Sequence, residues 1–75
     1  IWFVIMVRFE FNIRKVQVQD IYEALDQVEQ KFELRYGVFH QGTTFAEIVT
    51  SDEGQNEIEA VLKRFGIRYE LERVL

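Results

Sequence analysis

The opening stretch, IWFVIMVRFEF over residues 1–11, narrows the fold more than any other part of the chain. Its odd positions, Ile1, Phe3, Ile5, Val7, Phe9 and Phe11, are all apolar. Its even positions are Trp2, Val4, Met6, Arg8 and Glu10. A period of two belongs to a β-strand that turns one face to a core. The spacing therefore predicts a first strand over about Trp2–Phe11 with its odd face buried. Trp2, Val4 and Met6 then lie on the other face, and something must cover them or leave them at the surface.

The period changes downstream. After a polar connection carrying Asn12, Arg14 and Lys15, the residues Val18, Ile21, Leu25, Val28 and Phe32 recur at helical spacing. Asp20 with Glu23 reads as a cap for this helix, and KVQVQ before it alternates like an extended lead-in. LRYGVF, Leu34–Phe39, reads as a short strand. His40, Gln41 and Gly42 form a turn in which Gly42 takes a positive φ, and TTFAEIVT, Thr43–Thr50, is the return strand. Ser51 and Asp52 are candidate caps, with Gln55 in the capping-box position. Ile58, Val61, Leu62 and Phe65 share a second helix face, and Gly66 is its stop. Ile67–Val74 is the last strand.

Strand, helix, strand, strand, helix, strand is the order of the ferredoxin-like α+β fold, βαββαβ. Right-handed crossovers place both helices on one face of a four-stranded antiparallel sheet, with strands one and three central. The hairpin register then decides the other, open face. A two-residue turn at Gln41 and Gly42 pairs Val38 with Phe45 and Tyr36 with Glu47, which buries a carboxylate. A three-residue loop pairs Arg35 with Glu47 and Tyr36 with Ala46. The second register is preferred, because an unpaired buried carboxylate is costly. It buries Leu34, Tyr36, Val38, Ala46 and Ile48, and sets an Arg35–Glu47 ion pair outside. The open face is then expected to carry Trp2, Val4, Met6, Phe39, Phe45 and Val49 as an apolar centre. Arg8, Glu10, Arg35, Glu47, Arg68, Glu70 and Glu72 form its charged rim, the composition of an interface.

Seventy-five residues make one small domain, spanning 1–75. A chain of this size buries only roughly 60% of its unfolded surface. Hydrophobic content of 48% with seven Phe still supplies a core. The absence of Cys removes disulfides and thiolate metal sites, and fits a reducing compartment. The net charge of −4 argues against nucleic acid and against anionic membranes. The first apolar run ends at Arg8, short of the ~20 residues of a membrane span, and it lacks the flanks of a signal peptide. A cytoplasmic location is the expectation. The chain does not begin with Met, which fits processing or excision from a longer protein.

The residues carry no assembled chemistry. His40 is the one histidine and stands at a hairpin tip, so the ligand set zinc prefers is missing. Ser51 and Asp52 lack the spacing of a nucleophile elbow. Asp20, Glu23, Asp26, Glu29 and Glu33 read as a solvated acidic face. No calcium-loop, phosphate-loop or dinucleotide pattern occurs. No catalytic residue and no cofactor is expected. Arg14 and Lys15 precede a helix N-terminus and form a candidate small-anion site. An acylphosphatase has this element order and a loop arginine there, but this chain lacks the glycine-rich loop of such enzymes.

Several families share the pattern. GTTFAEIV followed by NEIEAVLKRFGIRYEL resembles NIL domains, relatives of the amino-acid-sensing ACT domains, over residues 42–71. Ala46 replaces the second glycine of that pattern, and the hairpin is shorter. The resemblance implies dimerisation and small-molecule regulation. The placement of Trp2, Phe39 and Phe45 is similar to that of base-stacking aromatics in RNA-recognition domains. Glu10, Glu47, Glu70 and Glu72 on the same face oppose phosphate. FGIRYELERV resembles the last strand of metallocarboxypeptidase pro-segments, without their longer loop. The absence of Pro and Cys also fits a designed sequence, whereas the hairpin without Asn-Gly and the outward Trp2 and Met6 do not.

The residues are best read as a non-catalytic association module. It would act through the open sheet face or an edge strand, most simply as a homodimer. Its expected interface is Trp2, Val4, Met6, Arg8, Arg35, Phe39, Phe45, Glu47, Val49 and Arg68. A ligand-sensing domain of NIL or ACT type, a single-stranded RNA binder and a designed protein without a natural function are the alternatives.

Overall fold

The structure, a computed structural model, describes residues 4–74. Trp2, whose cover the sequence left in question, lies outside the described residues. The chain forms β1 (Met6–Arg14), α1 (Val18–Leu25), β2 (Phe32–Tyr36), β3 (Thr43–Ser51), α2 (Gln55–Arg64) and β4 (Tyr69–Arg73). Short 3-10 turns at Lys15–Gln17 and Asp52–Gly54 lead into the two helices. The sheet is antiparallel in the order β2-β3-β1-β4. This is the ferredoxin-like topology expected from the alternating periods.

The odd residues of β1 do go inward. Val7, Phe9, Phe11 and Ile13 are buried with Ala46 and Ile48 of β3, and Ile21, Leu25, Ile58 and Leu62 of the helices close over them. Tyr69 meets Phe9 edge-on, ring centroids 5.3 Å apart. Thr50 is a buried polar group within this layer, and its hydroxyl donates to the Lys31 carbonyl at 2.8 Å. That bond offsets the cost of placing a hydroxyl among apolar neighbours.

Several boundaries differ from the sequence expectation. β1 starts at Met6 and runs on through Arg14, because Asn12, Ile13 and Arg14 pair with Phe45, Thr44 and Thr43. α1 stops at Leu25, although the helical spacing continues to Phe32. Tertiary bonds override it. The Lys31 carbonyl is taken by Thr50, and the Glu29 N–H donates to a Glu57 carboxylate oxygen at 3.1 Å. Val28 packs on the core from this loop, and Phe32 opens β2. Asp20 sits in the first turn of α1 and is not its cap. Ser51 precedes a 3-10 turn without a side-chain cap, and Gln55 bonds Glu59 in place of a capping box. α2 does end as read. Ile67 N–H donates to the Leu62 carbonyl and Gly66 N–H to that of Lys63, with Gly66 at φ 68°, which is a Schellman stop.

The β2–β3 hairpin combines both alternatives weighed from the sequence. Its tip is a two-residue turn, with His40 and Thr43 bonded to each other and positive φ at Gln41 (54°) and Gly42 (79°). Yet Arg35 faces Glu47 and Tyr36 faces Ala46, the register expected of the longer loop. An extra residue reconciles the two. Between these pairs Gly37, Val38 and Phe39 stand against Thr44 and Phe45. The bulge shifts the pairing by one, so the carboxylate of Glu47 stays on the solvent side.

Gln41 is the weak point of this turn, since a positive φ at both central residues favours Asn-Gly. Gln41→Asn is expected to raise stability by ~0.5–1 kcal/mol, through relief of the left-handed conformation. An unchanged denaturant midpoint would show that Gln41 occupies that conformation without strain.

Candidate functional site

The open face is built from alternate residues of all four strands. In the register of the sheet, Glu33, Val49, Arg8 and Glu72 form one row across it. Arg35, Glu47, Glu10 and Glu70 form the next. Met6 beside Ser51 lies at one end, and Asn12 beside Phe45 at the other. Val4 precedes β1 and is exposed.

The expected apolar centre is not continuous: Met6 and Phe45 lie toward opposite ends of the face, and Val49 stands in the row of Glu33, Arg8 and Glu72. Arg8 is committed within the sheet: its guanidinium bonds Glu10 at 3.1 Å and pairs with Glu72 across the strands. Arg35 stands opposite Glu47, but its ion pair is to Glu33 on its own strand, at 2.7 Å. Glu33 also raises the pKa of the Arg35 guanidinium, with Glu47 a smaller contributor. Glu47, Glu10 and Glu70 are carboxylates directly opposite one another, a repulsive row. An interface core sheds charge, and this face concentrates it.

Phe39 leaves that face altogether. The bulge at Gly37–Phe39 turns it to the helix side, where it packs against the core and lies 5.8 Å from the Tyr36 ring. Val38, expected to be buried, is 93% exposed for the same reason. Tyr36 in turn lies 6.2 Å from Tyr22 of α1. Tyr22 and Tyr36 remain 38% and 42% exposed, too open to count as core. With Leu34 and Phe32 half-buried behind them, they make an aromatic strip along the free edge of β2. Sequence reasoning missed this strip because the extra residue in the hairpin has no compositional signal beyond Gly37.

The remaining candidates are scattered. Phe45 is 55% exposed and lines a shallow groove of about 270 Å³ with Glu10, Asn12, Arg68 and Glu70. Arg14 ends β1 and Lys15 begins a 3-10 turn, where the Lys15 N–H is already bonded to the Gly42 carbonyl at 2.8 Å. His40 is exposed beside the hairpin turn. Among the described residues no group of three or more His, Asp or Glu side chains is placed to hold a metal ion. No helix among them is long and apolar enough to cross a membrane.

Comparison with known proteins places the fold and stops there. No family model matches the chain, and no curated protein does. Among solved structures it is similar to the de novo designed protein Ferredog-Diesel, with a TM-score of 0.63 at 15% identity over 96% of this chain and 88% of that one. It is also similar to the ACT domain from GTP pyrophosphokinase of Chlorobium tepidum, with a TM-score of 0.56 at 8% identity, covering 96% and 97% of the two chains. The de novo designed protein Foldit4 matches with a TM-score of 0.53 at 11% identity, over 97% and 98%. At identities this low, the structural similarity establishes a shared ferredoxin-like fold alone.

The Tyr22–Tyr36 contact has a titration signature. The hydrogen bond with Tyr36, followed by burial, pushes the Tyr22 phenol from 10.0 up to about 12. A raised pKa favours the neutral phenol in the folded state, so its stabilisation is complete below pH 10 and is lost as pH rises toward 12. Ultraviolet titration should show a tyrosine ionising near the top of that window. In Tyr22→Phe that late component should disappear. Its persistence would place the shifted phenol elsewhere.

Proposed function

We propose that this chain is a non-catalytic association module that acts through an uncovered edge of its sheet. The observation that carries this reading is the aromatic strip of Tyr22, Tyr36 and Phe39 beside the outer side of β2, an edge strand of the sheet. An edge strand offers unsatisfied backbone donors and acceptors, and flanking apolar side chains supply the desolvation that makes such pairing favourable. The open face supports this role less well, because its centre is a row of carboxylates. That row also opposes nucleic-acid phosphate.

Sedimentation equilibrium at widely separated concentrations tests the reading. The expected result is a species of twice the 9.0 kDa chain mass. Tyr36→Ala is expected to weaken association by more than ~1 kcal/mol, and Phe45→Ala to leave it unchanged. A mass of one chain at every concentration would overturn association between copies.

The groove beside Phe45 favours a second reading, a small-molecule-sensing domain of the ACT kind. Arg68 can take a carboxylate, Glu10 and Glu70 an ammonium group, and Phe45 an apolar side chain. A free amino acid has those three parts. In a thermal-shift screen of amino acids, a ligand at 100 times its dissociation constant would add ~2.7 kcal/mol of stability. A flat response across the panel would leave the groove as ordinary surface.

A further inference from the structure

We infer that β2 pairs with β2 of a second copy, antiparallel about a two-fold axis at Leu34. This deepens the edge-association reading and rests on it. The strand reads Phe32-Glu33-Leu34-Arg35-Tyr36, aromatic, acid, Leu, base, aromatic. Reversed and laid against itself, it is complementary at every position. Leu34 meets the partner's Leu34, Glu33 meets the partner's Arg35 on both sides of the axis, and Phe32 meets the partner's Tyr36. Opposite charges and aromatic pairs directly across two strands are the favourable cross-strand combinations.

The backbone is oriented for this register. Gly37 N–H donates to the carbonyl of Phe45, its direct partner, at 3.3 Å. Bonding alternates along an antiparallel strand, so Glu33 and Arg35 also direct their N–H and C=O groups to β3. Phe32, Leu34 and Tyr36 therefore present theirs at the free edge. A two-fold axis at Leu34 makes each of the pairs Leu34–Leu34, Phe32–Tyr36 and Tyr36–Phe32 a doubly hydrogen-bonded one. It also keeps the helices of both copies on one side of the joined sheet, because paired residues have the same parity.

The other edge lacks this property. β4 has the same length and reads Tyr69-Glu70-Leu71-Glu72-Arg73. Paired with itself about Leu71, it would set Glu70 against the partner's Glu72 twice, a like-charge clash. Glu72 is also drawn inward to Arg8. Charge placement thus guards β4 and leaves β2 open to its own copy.

A charge-swap mixing experiment tests the inference. Glu33→Lys places an ammonium opposite the partner's Arg35, and Arg35→Glu places two carboxylates opposite each other. Each variant alone should self-associate at least ~10-fold more weakly than the unaltered chain. Mixed in equal amounts, the two variants set a base against an acid on both sides of the axis. The new lysine of one meets the new glutamate of the other, and the Arg35 kept by one meets the Glu33 kept by the other. The mixture should form a species of twice the chain mass. Far-ultraviolet circular dichroism establishes that each variant is folded. If the unaltered chain dimerises and both variants dimerise equally well alone, the β2 register is wrong while association stands. If the variants stay apart when mixed, the register is likewise overturned. If the unaltered chain is monomeric throughout, both the register and self-association through an edge fail.

Discussion

The β1–β3 pairing is the constraint on which the rest of this structure depends. It runs without interruption from Met6 opposite Ser51 to Arg14 opposite Thr43. Both strands are central, so their inward side chains form the floor of the core on which each helix packs. Their alternation also fixes the open face. Once Phe9 and Ile48 face inward as partners, Arg8, Glu10, Glu47 and Val49 must face outward. A slip of β1 by one residue against β3 would turn Arg8 and Glu10 into the core and expose Phe9 and Phe11. The pairing is therefore held by the cost of its alternatives as well as by its own contacts.

The hairpin shows how a single residue redirects a surface. With a two-residue turn and no bulge, Glu47 would join the helix-side layer. With the bulge, Glu47 stays in water and Phe39 crosses to the helix side. Val38 is displaced outward to an exposure that no regular strand position there would give it. The aromatic strip of Tyr22, Tyr36 and Phe39 is thus a product of the bulge. The same adjustment that protects the core register creates the most apolar part of the β2 edge.

The element order and the inward residues were legible in the sequence because hydrophobic period reports burial directly. Val7, Phe9, Phe11, Ile21, Leu25, Ile58 and Leu62 all lie where their spacing put them. The hairpin register was legible too, since it followed from the cost of burying Glu47. What was not legible had long-range causes. α1 ends early because Thr50 and Glu57 hold the following loop by hydrogen bonds, and helical spacing at Val28 and Phe32 carries no trace of them. The apolar centre expected for the open face failed because two of its members are elsewhere. Phe39 has crossed the sheet, and Val4 lies before the first strand. Once they are removed, the charges of Arg8, Glu10 and Glu47 occupy the middle.

That redistribution changes what the two surfaces can do. A charged sheet face is stable in water. Docking it would require desolvating Arg8, whose partners Glu10 and Glu72 already satisfy it, together with carboxylates set against one another. The β2 edge makes the opposite demand. Its outward backbone groups lose nothing by exchanging water for another strand, and Tyr36 and Val38 gain by leaving water. A domain of this size has little stability in reserve, so an edge that extends the sheet into a second copy would couple folding to concentration. The opposite signs of Glu33 and Arg35 decide which partner is favoured. On an edge built only to repel, they would have the same sign, as Glu70 and Glu72 do on β4.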